Sequence, residues 1–211
     1  MQKQPHRVAL TGGIATGKSY IAKRLREAGV EVMDADLLAH DVVRPGSEAL
    51  ELVRRRFGDG MITAGGEMDR RRVAALVFAD AGARRDLEAI IHPVVRQGIE
   101  QFFRTLPIRT PFAVADIPLL FETGRAGDFE VVVVAACARE IQMARVLARE
   151  GVTREDAERR LQAQWPIEDK VARADYVIRT DGTYEETDRA VEALIGSLGR
   201  RFPTESEARS S

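Results

Sequence analysis

The chain of 211 residues predicts an α/β fold: a five-stranded parallel, doubly wound sheet with an inserted helical subdomain. Three observations lead there. Short β-branched runs alternate with longer amphipathic ones, the pattern of a parallel sheet covered by helices. The longest apolar run, Val131–Cys137, suits a strand covered on both faces. A glycine-rich stretch, GGIATGKS (Gly12–Ser19), follows the first β-branched run directly.

The elements follow in order. Arg7–Leu10 reads as the first strand. Lys18–Ala28 reads as a helix stopped by Gly29. Glu31–Met33 is the second strand, Phe112–Ala115 the third, Phe129–Ala136 the fourth and Tyr176–Arg179 the fifth. Thr153 and Asp156 have capping-box spacing, opening a helix to about Gln164. Tyr184–Leu198 reads as the closing helix. Strands two and three are too far apart for an ordinary crossover. The gap, about residues 37–111, carries helical patterns over Ser47–Phe57, Asp69–Phe78 and Asp80–Thr105, with Gly58–Asp69 as a loop. His92-Pro93 predicts a break in the last of these, because the residue before a proline is pushed out of the α region.

Composition narrows the class. Hydrophobic residues make up 45% and charged residues 31%, with a net charge of −1. These values fit one soluble globular domain, and nothing in the balance calls for nucleic acid or an anionic membrane. No apolar run is long enough to span a bilayer. Cys137 is the one cysteine, so no intrachain disulfide can form, and a reducing compartment is expected. The opening MQKQPHR lacks the apolar core of a signal peptide, and the end, RFPTESEARSS, is polar and expected to fray. The expected location is the cytoplasm.

The glycine-rich stretch has the spacing G-x-x-x-x-G-K-[ST] of a phosphate-binding loop, between a predicted strand and a predicted helix. A helix starting near Gly17 offers unpaired N–H groups and the positive end of its dipole. Lys18 adds a charge for the β and γ phosphates. The Ser19 hydroxyl is a candidate Mg²⁺ ligand.

Ligands of open α/β sheets sit beyond the carboxyl ends of the strands, so the acids ending other strands matter. Asp116 stands where a Walker-B carboxylate would hold Mg²⁺, directly or through water; a structural role is the alternative. Asp34 is expected to orient or deprotonate an acceptor hydroxyl. Asp36 is expected to cap the helix Leu37–Val43. Arg139, Arg145, Arg149, Arg154, Arg159 and Arg160 crowd the segment after strand four. Two readings stand for them: a solvated face pairing with Glu150, Glu155 and Glu158, or a clamp closing over a transferring phosphate.

These pieces together resemble the dephospho-CoA kinase family. The residues carrying the resemblance are ALTGGIATGKS (Ala9–Ser19), VMDAD (Val32–Asp36), IHP (Ile91–Pro93), IPLLFETG (Ile117–Gly124), QMARVLAREGVT (Gln142–Thr153), the Gln164, Pro166 and Lys170 group, and ADYVI (Ala174–Ile178). They span nearly the whole chain. The resemblance implies a P-loop kinase that transfers the γ-phosphoryl of ATP to the ribose 3′-hydroxyl of dephospho-CoA, with Mg²⁺. It implies a core of residues 7–36, 112–137 and 174–200, a helical acceptor-binding insertion at about 37–111 and a helical lid at about 138–165. It makes Asp34, Lys18 and Arg145 catalytic. It places ATP on Gly13, Ile14, Ala15, Thr16, Gly17, Lys18, Ser19 and Tyr20, with Arg149 and Gly182. It places the acceptor on Asp34, His92, Pro118, Leu119, Leu120 and Glu122, and the metal on Ser19 and Asp116. A monomer or weak homo-oligomer is expected.

Three positions depart from the family pattern: Ala15 where glycine is common, Trp165 between Gln164 and Pro166, and Thr180 where asparagine is frequent. His92, within an apolar stretch, also reads as a packing residue. Three rivals remain: a kinase for another small hydroxyl acceptor such as a nucleotide or a shikimate-like metabolite, a GTP-binding switch, and an inactive nucleotide-binding module. The switch is disfavoured, because Asp116 is followed by Ile-Pro-Leu rather than x-x-Gly, and N-K-x-D is impossible in a chain without asparagine.

Overall fold

The computed structural model describes residues 4–149 and 151–203; Glu150 and most of the polar C-terminal stretch lie outside them. The chain divides into two compact units, Asp34–Arg104 and the residues on either side of it.

The first unit is built on a five-stranded parallel sheet of order β2-β3-β1-β4-β5. Its strands are β1 (His6–Gly12), β2 (Val32–Asp34), β3 (Phe112–Asp116), β4 (Val131–Ala136) and β5 (Tyr176–Arg179). Central β1 runs two residues beyond the sequence expectation, because its pairing with β4 continues to Gly12 opposite Ala135. In register, Leu10 lies opposite Asp116 of β3 and Val133 of β4. The carboxylate of Asp116 is thereby fixed beside the end of β1.

Helices α1 (Lys18–Glu27) and α9 (Tyr184–Arg201) cover one sheet face. Ile21 and Leu25 of α1, and Val191, Leu194 and Leu198 of α9, pack with Val8, Leu10, Val114, Val131 and Val133. These positions recur at helical spacing, so each helix presents one apolar stripe to the sheet. Ala9, Val132, Val134 and Ala136 point the other way along their strands and are equally buried, which is why β4 can be apolar without alternation. α9 opens on a full capping box: the Thr183 hydroxyl accepts from Glu186 N–H, and the Glu186 carboxylate accepts from Thr183 N–H. The rest of the unit is α6 (Arg139–Leu147), α7 (Arg154–Gln162) and α8 (Ile167–Val171). α7 is capped by the Thr153 hydroxyl, which accepts from Asp156 N–H.

The second unit holds α2 (Ala35–Asp41), α3 (Glu48–Phe57), α4 (Arg70–Ala79) and α5 (Ala81–Thr105, which overruns the boundary by one residue). Between α3 and α4 a single 3-10 turn, Asp59–Met61, and an antiparallel bridge from Ile62 to Met68 organise the expected loop.

Two expectations are corrected here. α5 runs unbroken through Pro93. The missing N–H and the ring's clash with the preceding turn cost about 3 kcal/mol. Against that, Ile90, Ile91 and Val94, on both sides of the proline, pack on the cluster of Val43, Ala49 and Leu50. Full burial of one such side chain returns roughly 1.5–3 kcal/mol, and these three are partly buried together, so their summed packing offsets the local preference. The second correction exchanges two acids. Asp34, not Asp36, caps α2: its Oδ1 accepts from Asp36 N–H at 2.9 Å and Leu37 N–H at 3.0 Å. The helix therefore starts earlier, at Ala35, with Asp36 inside its first turn.

Candidate active site

The loop between β1 and α1 shows how a glycine-rich turn can hold its amides unbonded. Each peptide unit has an N–H and a C=O, and bonding the carbonyls to the protein fixes the peptide planes, so that the amides opposite them keep one direction. Here every carbonyl from Gly12 to Gly17 is bonded. Gly12 O accepts from Lys170 Nζ at 3.3 Å. Gly13 O accepts from the Thr16 hydroxyl at 2.9 Å. Ile14 O accepts from Gln142 Nε2 at 2.9 Å, and Ala15 O from Arg145 Nη1 at 3.3 Å. Thr16 O accepts from the Thr180 hydroxyl at 2.8 Å, and Gly17 O from Tyr20 and Ile21 N–H in the first turn of α1. The amides of Ala15, Gly17, Lys18 and Ser19 have no partner among the described residues. Ile14 N–H donates to Gln164 Oε1 at 2.8 Å, so of the expected nucleotide contacts this amide is already engaged.

Tight packing explains the first glycine. A Cβ on Gly12 would lie 2.6 Å from Thr16 Oγ1 and 2.7 Å from Ala135 O. Ala15, where the family favours glycine, sits at φ 58°, in the left-handed region. For an L-residue with a Cβ that conformation costs about 1 kcal/mol. The departure at Ala15 is therefore paid in backbone strain rather than being neutral.

Lys18 and Asp116 form an ion pair. The side chain of Asp116 is 3% exposed and that of Lys18 15%. A second pair holds the carbonyl at the loop's start: Lys170 Nζ lies 2.7 Å from Glu122 Oε1, with Lys170 fully buried. The same Glu122 oxygen accepts from Trp165 N–H at 3.0 Å. Trp165, the second departure, stacks on Phe121 with ring centroids 6.0 Å apart, and the Arg173 guanidinium lies over its ring. Thr180, the third, binds the loop through Thr16 O and takes Arg145 on both its hydroxyl and its carbonyl, at 3.1 and 2.6 Å. Cys137 lies 3.6 Å from Arg145 Nη1; burial pushes its thiol pKa up.

The expected acceptor residues separate. Leu119 is exposed, whereas Leu120 is fully buried and serves the core. Glu122 is committed to Lys170 and Trp165, so its carboxylate holds protein rather than a free pocket wall. His92 is exposed on α5, which rules out the packing reading. Of the expected nucleotide residues outside the loop, Arg149 is exposed. Gly182 leaves room for the capping carboxylate of α9, since a Cβ there would stand 1.8 Å from Glu186 Oε2. Tyr20 packs near Tyr184, centroids 4.7 Å apart, and donates its hydroxyl to Asp188; that bond, first among the causes, raises its pKa. Sequence reasoning gave Thr180, Gln142, Gln164 and Lys170 no role on the loop. They reach it from 128 to 164 residues away.

A parallel sheet of this order, with a phosphate loop on its central strand and a carboxylate on the next, is the fold found in P-loop kinases. Comparison with known proteins narrows the class. The family model described as dephospho-CoA kinase matches residues 6–186, and the chain belongs to that family. A curated dephospho-CoA kinase of Anaeromyxobacter dehalogenans is 44% identical over 201 residues, covering 93% of this chain and 95% of the relative. Among solved structures, TT1252 from Thermus thermophilus is 36% identical with a TM-score of 0.81, covering 93% of this chain and 99% of that one. The dephospho-CoA kinase from Campylobacter jejuni is 26% identical with a TM-score of 0.71, covering 92% and 97%.

Proposed function

We propose that this chain transfers the γ-phosphoryl of ATP to the ribose 3′-hydroxyl of dephospho-CoA through the loop Gly12–Ser19 and Asp34. The reaction is the family's, ATP-dependent phosphorylation of dephospho-CoA at the last step of coenzyme A synthesis. The observation that carries the assignment of the loop is the complete tying-back of its carbonyls, which leaves amides and the α1 dipole for polyphosphate.

In this reading the free amides grip the β and γ phosphates, and Lys18 leaves Asp116 to join them. Asp116 and the Ser19 hydroxyl are both hard oxygen donors, the ligand chemistry that fits Mg²⁺. When bound, that ion neutralises charge on the phosphates. Asp34 holds its cap through Oδ1 alone, so Oδ2 is left to accept a hydrogen bond from the acceptor hydroxyl and orient its oxygen for attack. Pro118 and Leu119, just after β3, belong with the acceptor. Arg145 braces Ala15 and Thr180; acting on the transferring phosphate would require it to exchange Thr180 for a phosphate oxygen. The protein works as a cytoplasmic enzyme on two small substrates, without nucleic acid, as a monomer or weak homo-oligomer.

Asp34→Asn tests the chemistry without removing the cap, since asparagine caps helices as well as aspartate does. With Mg-ATP and dephospho-CoA, and CoA followed by mass, kcat should fall about 10²-fold. The KM for ATP and the melting temperature should hold. A near-normal kcat would move the hydroxyl-orienting role to another residue.

A further inference from the structure

Among the described residues, Lys170 is the largest charged side chain buried completely, and the phosphate-binding motif does not contain it. Its ammonium has two partners: Gly12 O at 3.3 Å and Glu122 Oε1 at 2.7 Å. Glu122 also takes Trp165 N–H, and the residue before Trp165, Gln164, takes Ile14 N–H. One buried charge therefore closes a ring that runs from the loop's first glycine through the segment after β3 and the turn before α8, and back to the loop two residues on. Glu122 Oε2 is buried without a hydrogen-bond partner, so the carboxylate depends heavily on Lys170 for its compensation.

A buried ion pair is weak evidence for stability, because desolvating both charges offsets most of their attraction. Two buried apolar side chains would serve the core as well. They could not hold the Gly12 carbonyl. If that carbonyl swings free, the peptides after it rotate, and the amides lose their aim at the phosphates. We infer that Lys170 is a positioning residue for phosphoryl transfer: its ammonium fixes the entry to the phosphate loop and couples it, through Glu122, to the Gln164–Trp165 turn. This inference rests on the loop being the nucleotide site.

Lys170→Met alone leaves Glu122 uncompensated and risks misfolding, so the decisive variant is the double Glu122→Gln/Lys170→Met. It removes both charges, while the side-chain amide oxygen at position 122 can still accept from Trp165 N–H. The expected result is a melting temperature close to wild type, with kcat/KM for ATP lowered about 10²-fold, the scale of a small misplacement of reacting groups. KM for dephospho-CoA should stay within about threefold, since binding of the acceptor does not pass through Gly12. Lys170→Arg, which keeps a buried cation, should recover part of the loss. Wild-type turnover and its protection by ATP test the loop assignment separately. A double variant that melts like wild type and keeps wild-type kcat and KM for ATP would overturn the role. So would a loss of rate that only tracks the unfolded fraction, or an equal effect on both KM values.

Discussion

Two lysine–carboxylate pairs touch the phosphate loop; they look alike on paper and differ in kind. At the mouth, Lys18 of the loop motif pairs with Asp116, the acid that ends β3. Lys170–Glu122 lies at the back, with the lysine fully buried and both partners tied to backbone. If the loop binds Mg-ATP as proposed, the mouth pair has somewhere to go: each member would exchange its partner for part of the incoming nucleotide. The back pair has nothing to exchange with. On the proposed function the first is a placeholder that nucleotide would replace, and on the further inference the second is a fixture that would keep the loop's shape with or without nucleotide.

Breaking the mouth pair should have the largest effect. On the proposed function Lys18→Ala removes the charge meant for the β and γ phosphates, and turnover should fall about 10³-fold or more. It also leaves Asp116 without this partner at 3% exposure, so some stability is lost as well. Lys18→Gln, which can still donate to Asp116, should recover the melting temperature and none of the turnover. If Lys18→Gln turned over near the wild-type rate, the mouth and back pairs would not differ in the way described.

The same contrast explains what was legible in the sequence. The mouth is a local motif: Gly12, Gly17, Lys18 and Ser19 fall within eight residues, and their spacing carries the chemistry. β4 and β5 were legible because β-branched runs of this kind have few other uses. The back is assembled from β5's exit, α6, α8 and the turn before α8, so no window of sequence shows it. Thr180 illustrates the limit: in the sequence it is only a departure from the family pattern, yet its hydroxyl serves Thr16 O. Local rules also misjudged Pro93 and the Asp34–Asp36 pair. Pro93 stays helical because of the apolar cluster beneath it, a tertiary effect. For the two acids the rule of capping was right and its register wrong by two residues, because β2 runs on to Asp34.

Arg145→Ala probes the back of the loop at a smaller scale. The guanidinium holds Ala15 O and both polar groups of Thr180. Its loss should lower kcat/KM for ATP by about 10- to 10²-fold and change KM for dephospho-CoA by less than about threefold. Arg145→Lys can hold one of these partners at a time and cannot form the fork. If Arg145 works as a brace, the lysine variant should restore ATP binding in part. If it works chiefly on the transferring phosphate, kcat should fall while nucleotide affinity holds, and the mouth would then extend to α6.

The smallest expected effect is at Ala15, where strain and bracing meet. A left-handed alanine costs about 1 kcal/mol in the folded chain. Replacing it with glycine removes that cost but frees the unfolded chain, which returns about 0.4–1 kcal/mol to the unfolded side. The two nearly cancel, so Ala15→Gly should move the melting temperature by no more than about 2–3 °C. Ala15→Val, with a branched side chain at the same φ, should lower it clearly, because bulk at positive φ is a true outlier. The informative measurement combines the loop's two sides. With Arg145 present, its bond to Ala15 O holds the left-handed turn in place, and Ala15→Gly should change kcat by less than about twofold. With Arg145→Ala, alanine at position 15 can relax out of the left-handed region and glycine has no reason to, so Ala15→Gly should recover part of the lost kcat/KM for ATP. Strict additivity of the two substitutions would mean that the brace and the strain are unconnected, and that the back of the loop is a set of separate contacts rather than one device.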